Sequence, residues 1–174
     1  MTKKSKDQME IDENKVLTEL MKNAKENIDT IAKHCGFSRQ KVWRIIKQLE
    51  EDQKIWGYSA VVDSEKQNLK KFMVFFKRTN QPIDSKEKNE IAMTRLDPLK
   101  EDLGITVLHS YHTHGSFDWV TIFTAKDILQ AKKFVNALTM RFSHAQSSVM
   151  NQILFTVREN AVENPKIKDL KDYL

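Results

Sequence analysis

The sequence predicts an α+β chain in two parts: a winged helix-turn-helix domain, then a βαββαβ domain of ferredoxin-like arrangement. Three observations predict it. Apolar residues recur at helical spacing in three short segments between Ile11 and Leu49, the last two separated by a turn at Gly36. Beyond residue 70 the pattern changes to short β-branched and aromatic runs: "KFMVFFKR", "ITVLHSYHTHG", "FDWVTIFTA" and "SVMNQILFTVRE". Helical stretches, "DSKEKNEIAMTRL" and "DILQAKKFVNALTMRF", follow the first and third of these runs.

Residues 1–10 are polar and are expected to form a disordered tail. Residues 11–62 form the helix-turn-helix domain. Asp12 can cap its first helix, with Ile11 and Val16 placed for a hydrophobic staple. Val16, Leu17, Leu20, Met21 and Ala24 make the inner face of that helix. Asn27 caps a second helix, whose stripe is Ile28, Ile31, Ala32 and Cys35. Gly36 supplies the sharp turn because it tolerates positive φ. Ser38 then caps a third helix. "KIWGYSAVVD" reads as extended chain, either a small wing or the strand leading into the second domain.

The third helix has two faces. Val42, Ile45, Ile46 and Leu49 form the buried stripe, while Gln40, Trp43, Arg44 and Lys47 share a second face. Arg39 and Lys41 flank the first turn, and the acids Glu50, Glu51 and Asp52 come only at the far end. A basic leading end suits a recognition helix, whose N-terminal part meets base edges in the major groove. Arg and Lys bind phosphate or guanine, and Gln binds adenine. The candidate DNA-binding residues are Ser38, Arg39, Gln40, Lys41, Trp43, Arg44 and Lys47. Trp43 either packs on the first helix or touches a thymine methyl.

Residues 63–70 read as a linker, and residues 71–159 as the ferredoxin-like domain, which also carries the expected dimer face. Asp84 and Glu87 are spaced as a capping box, and Pro98 sets "PLKEDLG" apart as a short helical turn. In the first strand Phe72, Val74 and Phe76 point one way, Met73 and Phe75 the other. Both faces therefore call for burial, and the second is expected to pack on another copy of the chain. Residues 160–174 extend past the fold, as a short amphipathic helix with Ile167, Leu170 and Leu174 or as a loose end.

Composition narrows the function classes. A net charge of +5 leans toward a polyanionic partner, although 24 acidic residues dilute it. Four scattered glycines exclude a Walker A loop or a dinucleotide fingerprint, and the single Cys35 excludes an internal disulfide. No nucleophile elbow or paired acid and base points to an enzyme, and no cofactor is implied. No run is long enough to span a bilayer, so the expected location is the cytoplasm.

"IDENKVLTELMKNA", "IAKHCGFSRQKVWRIIKQLEE" and "IWGYSAVVD" together resemble the DNA-binding domain of the Lrp/AsnC (feast/famine) transcriptional regulators. "THGSFDWVTIFTAKDILQAKKFV" resembles the centre of that family's effector domain. The resemblance implies a promoter-binding regulator that works as a homodimer or higher oligomer through its C-terminal sheet. It also implies an amino acid or other small anionic effector near the Gly-x-x-Asp turn, here Gly115, Ser116, Phe117 and Asp118. Several positions depart from the family pattern. Gln53 stands where a glycine often follows the recognition helix, Ile45 where a basic residue is common, and Phe117 where tyrosine is usual. The alternative function is a small-molecule sensor or interaction module that binds DNA without sequence preference.

His109, His112 and His114 fall close together in "HSYHTHG". On one strand His112 and His114 would share a face, which raises a metal pair, a pH-sensitive patch or an anionic ligand site. Lacking a third ligand in register, His112 and His114 are assigned to effector binding, with no metal.

Overall fold

The computed structural model describes residues 3–85, 88, 103–142 and 144–173. The chain divides into two compact units, Met1–Val61 with Thr156–Asp172, and Val62–Phe155.

In the first unit, α1 spans Lys3–Lys22, α2 Ile28–Cys35 and α3 Arg39–Glu51. The start of α1 corrects the expected tail: residues 3–10 are helical. They contain no Gly or Pro and are mostly good helix formers, and Gln8 Nε2 donates to Asp12 Oδ1 one turn on, at 3.0 Å. Asp12 is therefore inside the helix and caps nothing. Ile11 is 51% exposed, so the staple to Val16 does not form.

The other two caps stand as expected. Asn27 accepts from the Asp29 N–H and Ser38 from the Lys41 N–H. Gly36 ends α2 at φ +70°, which only glycine adopts without strain. Val16, Leu20, Ile31, Ala32, Cys35 and Val42 form the core, with Ile45, Ile46 and Ile55 packed against it. After α3, residues 55–63 form no strand, so neither the expected wing nor a leading strand is built there, and Trp56, Tyr58, Val61 and Val62 are exposed.

The linker carries a single 3-10 turn, Glu65–Gln67, closed by Asn68 in the left-handed region. The second unit then builds a sheet from β1 (Lys70–Arg78), β2 (Thr106–His112), β3 (Trp119–Ala125) and β4 (Ala145–Ile153). Its order is β2-β3-β1-β4 and every pairing is antiparallel, the ferredoxin-like order. One helix, α4 (Ile128–Arg141), is capped by Asp127 and buries Ala131, Phe134, Val135 and Leu138. They meet Phe72, Val74 and Phe76 of β1 and Trp119 and Phe123 of β3. Of the helix expected from Asp84 to Leu96, Asp84, Ser85 and Lys88 are described, and the Lys88 N–H donates to the Asp84 carbonyl at 3.0 Å. Glu87 of the capping box and residues 89–102, Pro98 among them, lie outside the described residues.

Register defines the opposite face. Met73 pairs with Ile122 and Asn151, Phe75 with Val120 and Val149, and Val120 with Tyr111. Tyr111 and Val149 are about half exposed, and Met73, Phe75, Val120 and Ile122 are half-buried. That face is apolar at its centre, as the sequence predicts.

The last predicted strand is shorter than expected. β4 stops at Ile153, and Arg158–Glu159 (β5) pairs instead with Val162–Glu163 (β6) around Asn160 and Ala161, both at positive φ. Ile167–Tyr173 is a 3-10 helix.

Candidate functional site

The geometry of α3 follows from its two ends. Ser38 spends its hydroxyl on the Lys41 N–H at 3.3 Å, so its side chain is a cap. From there Val42 and Leu49 turn inward and are buried. Gln40, Trp43, Arg44 and Lys47 emerge on the exposed side, one above another. Arg39, Gln40, Trp43 and Arg44 line a shallow hollow with Ile28 of α2.

The seven candidates are not equivalent. Arg44 makes no ion pair among the described residues. Lys47 sits 3.6 Å from Glu51 and 5.6 Å from the centroid of the Trp43 ring, both loose contacts on an exposed surface. Arg39 reaches Asp29 at 3.1 Å, with both side chains largely exposed. Such pairs exchange readily for a phosphate. Trp43 is 54% exposed and is not among the residues packed in the core.

Lys41 differs. Its ammonium is 2.6 Å from Asp12 Oδ2 and 3.9 Å above the Phe37 ring. The lysine holds the Asp12 carboxyl below its ordinary pKa, against the opposing effect of burial. Glu13, the next residue on α1, binds Lys54, just past the end of α3. From the sequence, Asp12 had only a capping role and Glu13 was passed over. They sit four and three residues before Val16, on the buried stripe, and that spacing was the available signal.

The second candidate site is the loop between β2 and β3. Thr113 N–H donates to the Asp118 carbonyl at 2.9 Å, and Thr113 Oγ1 donates to the Phe117 carbonyl at 2.7 Å. Gly115 has φ +142°, a conformation open to glycine and costly for other residues. Asp118 is bound within the chain: Oδ2 accepts from the Arg78 backbone N–H at 3.0 Å. Oδ1 lies 3.5 Å from Arg78 Nε, and Lys77 Nζ is 3.8 Å from Oδ2. The carboxylate thus ties the turn to the end of β1. Phe117 packs on Phe75, with ring centroids 5.1 Å apart, on the open face of the sheet. Lys77 and Arg78 were absent from the candidates because only pairing of β1 with β3 brings them to the turn.

The histidines do not gather. β2 carries an irregularity between Val107 and His109 and ends at His112, so His114 lies beyond the strand. His112 pairs across to Trp119 and stacks on it, while His109 pairs to Ile122 on the open face and accepts or donates at 3.0 Å to the Tyr111 hydroxyl. The strand alternation that would put His112 and His114 on one face therefore does not extend to His114. Among the described residues, no group of three or more metal-ligating side chains could hold an ion.

The chain thus carries a capped helix-turn-helix unit and an antiparallel unit of ferredoxin-like order. Residues 13–55 match the family model for winged helix-turn-helix DNA-binding domains. The chain is similar in structure to an AsnC family transcriptional regulator from Agrobacterium tumefaciens, with 20% identity, 90% of this chain and 97% of that one covered, and TM-score 0.63. It is similar also to the leucine response regulatory protein of Mycobacterium tuberculosis, with 20% identity, coverage of 89% and 98%, and TM-score 0.64. A third similar structure is a transcriptional regulator of Neisseria meningitidis in complex with L-Met, with 18% identity, coverage of 94% and 97%, and TM-score 0.61. A comparison with curated proteins returns no match. No helix among the described residues is long and apolar enough to cross a membrane.

Proposed function

We propose that the protein is a sequence-specific, DNA-binding transcriptional regulator of the Lrp/AsnC type. The observation that carries this reading is the exposed face of α3. Gln40, Trp43, Arg44 and Lys47 project in one row from a helix whose other face is locked into a core. Arg44 and Lys47 supply the cationic contacts, Gln40 can read adenine, and the apolar edge of Trp43 suits a thymine methyl. Arg39 joins them by exchanging Asp29 for phosphate. Ser38 acts through its cap, which fixes where the helix begins.

The protein acts as a homo-oligomer. The sheet face opposite α4, with Met73, Phe75, Val120 and Ile122 at its centre, is the surface a second copy covers. Two copies place two recognition helices on one side of the duplex, so half-sites repeat at about 10 base pairs or a multiple. A small effector, an amino acid in kind, binds at the Gly115–Asp118 turn. There the backbone of Gly115 and Ser116 offers polar groups, and His112 and His114 lie nearby. The neisserial structure with L-Met supports this part of the reading.

Selection from a random-sequence duplex pool tests the function. The expected result is a recovered pseudo-palindrome, protected from nuclease and bound less tightly as salt rises. Recovery of unrelated sequences would support the alternative, a sensor that binds DNA without reading it.

A further inference from the structure

Asp12 and Glu13 are the only buried acids among the described residues, 9% and 5% exposed. Burying a carboxylate is costly unless a cation meets it, and here each acid has one. Both cations come from α3 or its immediate exit. Lys41 stands in the first turn of α3, and Lys54 follows three residues after its last. Asp12 Oδ2 is 2.6 Å from Lys41 Nζ, and Glu13 Oε2 binds Lys54 Nζ. Two neighbouring residues of one helix thus hold both ends of another.

The apolar core beneath fixes that α3 packs. It does so without strong direction, because aliphatic contacts tolerate small sliding and rotation. Charge-assisted hydrogen bonds are short and directional. Two of them, at opposite ends of a helix of 13 residues, set both its rotation and its tilt. The face carrying Gln40, Arg44 and Lys47 is aimed by that setting.

We propose that Asp12 and Glu13 are positioning residues for DNA recognition, and that Lys41 serves this clamp and not a phosphate. The inference rests on the DNA-reading function above. It also reverses the plain expectation for a lysine in the first turn of a recognition helix.

The two roles of Lys41 predict opposite results for Asp12. The test measures binding of the wild-type chain and its variants to the duplex selected by the wild type, across a range of salt. If Asp12 positions α3, Asp12→Asn and Lys41→Met each weaken binding about tenfold, the cost of one misplaced base contact. The slope of log affinity against log salt stays unchanged, because no phosphate contact is lost. Lys41→Arg restores most of the affinity, and Lys54→Met, at the more exposed end, repeats the loss in a folded protein. If Lys41 instead neutralises a phosphate, Asp12→Asn frees it and binding tightens, while Lys41→Met lowers the slope by about 0.9. That pair of results, or unchanged binding in Asp12→Asn, Lys41→Met and Lys54→Met, overturns the clamp alone. Failure of the wild type to select any sequence overturns the DNA-reading function itself, and the clamp with it.

Discussion

Lys54 donates its backbone N–H to the Leu49 carbonyl at 2.9 Å, closing the end of α3 over Gln53, which sits at φ +55°. The chain therefore makes the left-handed helix exit that glycine usually serves, with a side chain in place. Gln53→Gly should stabilise the protein by about 0.5–1 kcal/mol, the roughly 1–2 kcal/mol cost of a non-glycine residue in that region less the greater freedom glycine loses on folding. Urea denaturation reads this directly; an unchanged or lower midpoint would mean that the glutamine side chain compensates.

The Asp12–Lys41 pair gives a pH dependence of known sign. The folded-state pKa of Asp12 lies below the ordinary value of 3.8, chiefly through its hydrogen bond from Lys41. The unfolded chain thus takes up this proton more readily than the folded one. The contribution is full above the ordinary value and fades as pH falls through the depressed one. Comparing urea midpoints at pH 7 and pH 2 should show a smaller acid loss in Asp12→Asn than in the wild type.

Val149 tests the open face of the sheet. It is 47% exposed and pairs with Phe75, so a monomer should tolerate Val149→Lys with little change in folding. If a second copy covers that face, the lysine lowers the molecular mass in light scattering while circular dichroism stays the same. A mass that does not move would place the contact between copies elsewhere.

These results also show what the sequence makes legible. The three helices, the caps at Asn27 and Ser38, the Gly36 turn and the inward face of β1 follow from local spacing, so the chain displays them without a structure. The extent of α1 did not, because polar residues 3–10 carry no apolar stripe to mark a helix. The pairing of Lys41 with Asp12 was hidden for a different reason. The two stand 29 residues apart, and only packing of α1 on α3 brings them together. Asp118 is similar: the turn residues are plain in the sequence, but the link to Arg78 spans 40 residues and depends on sheet register. The same-face argument for the histidines did not carry because β2 ends at His112, so its alternation does not extend to His114.

The central claim is that the exposed face of α3 reads DNA, and Arg44 with Lys47 tests it most directly. Affinity for the selected duplex should be measured across salt for the wild type and for Arg44→Gln/Lys47→Gln, with molecular mass followed in parallel. The account predicts weaker binding, a salt slope lower by about 1.8 for two lost phosphate contacts, and an unchanged oligomer. Equal affinity and equal slope in the two proteins would contradict it.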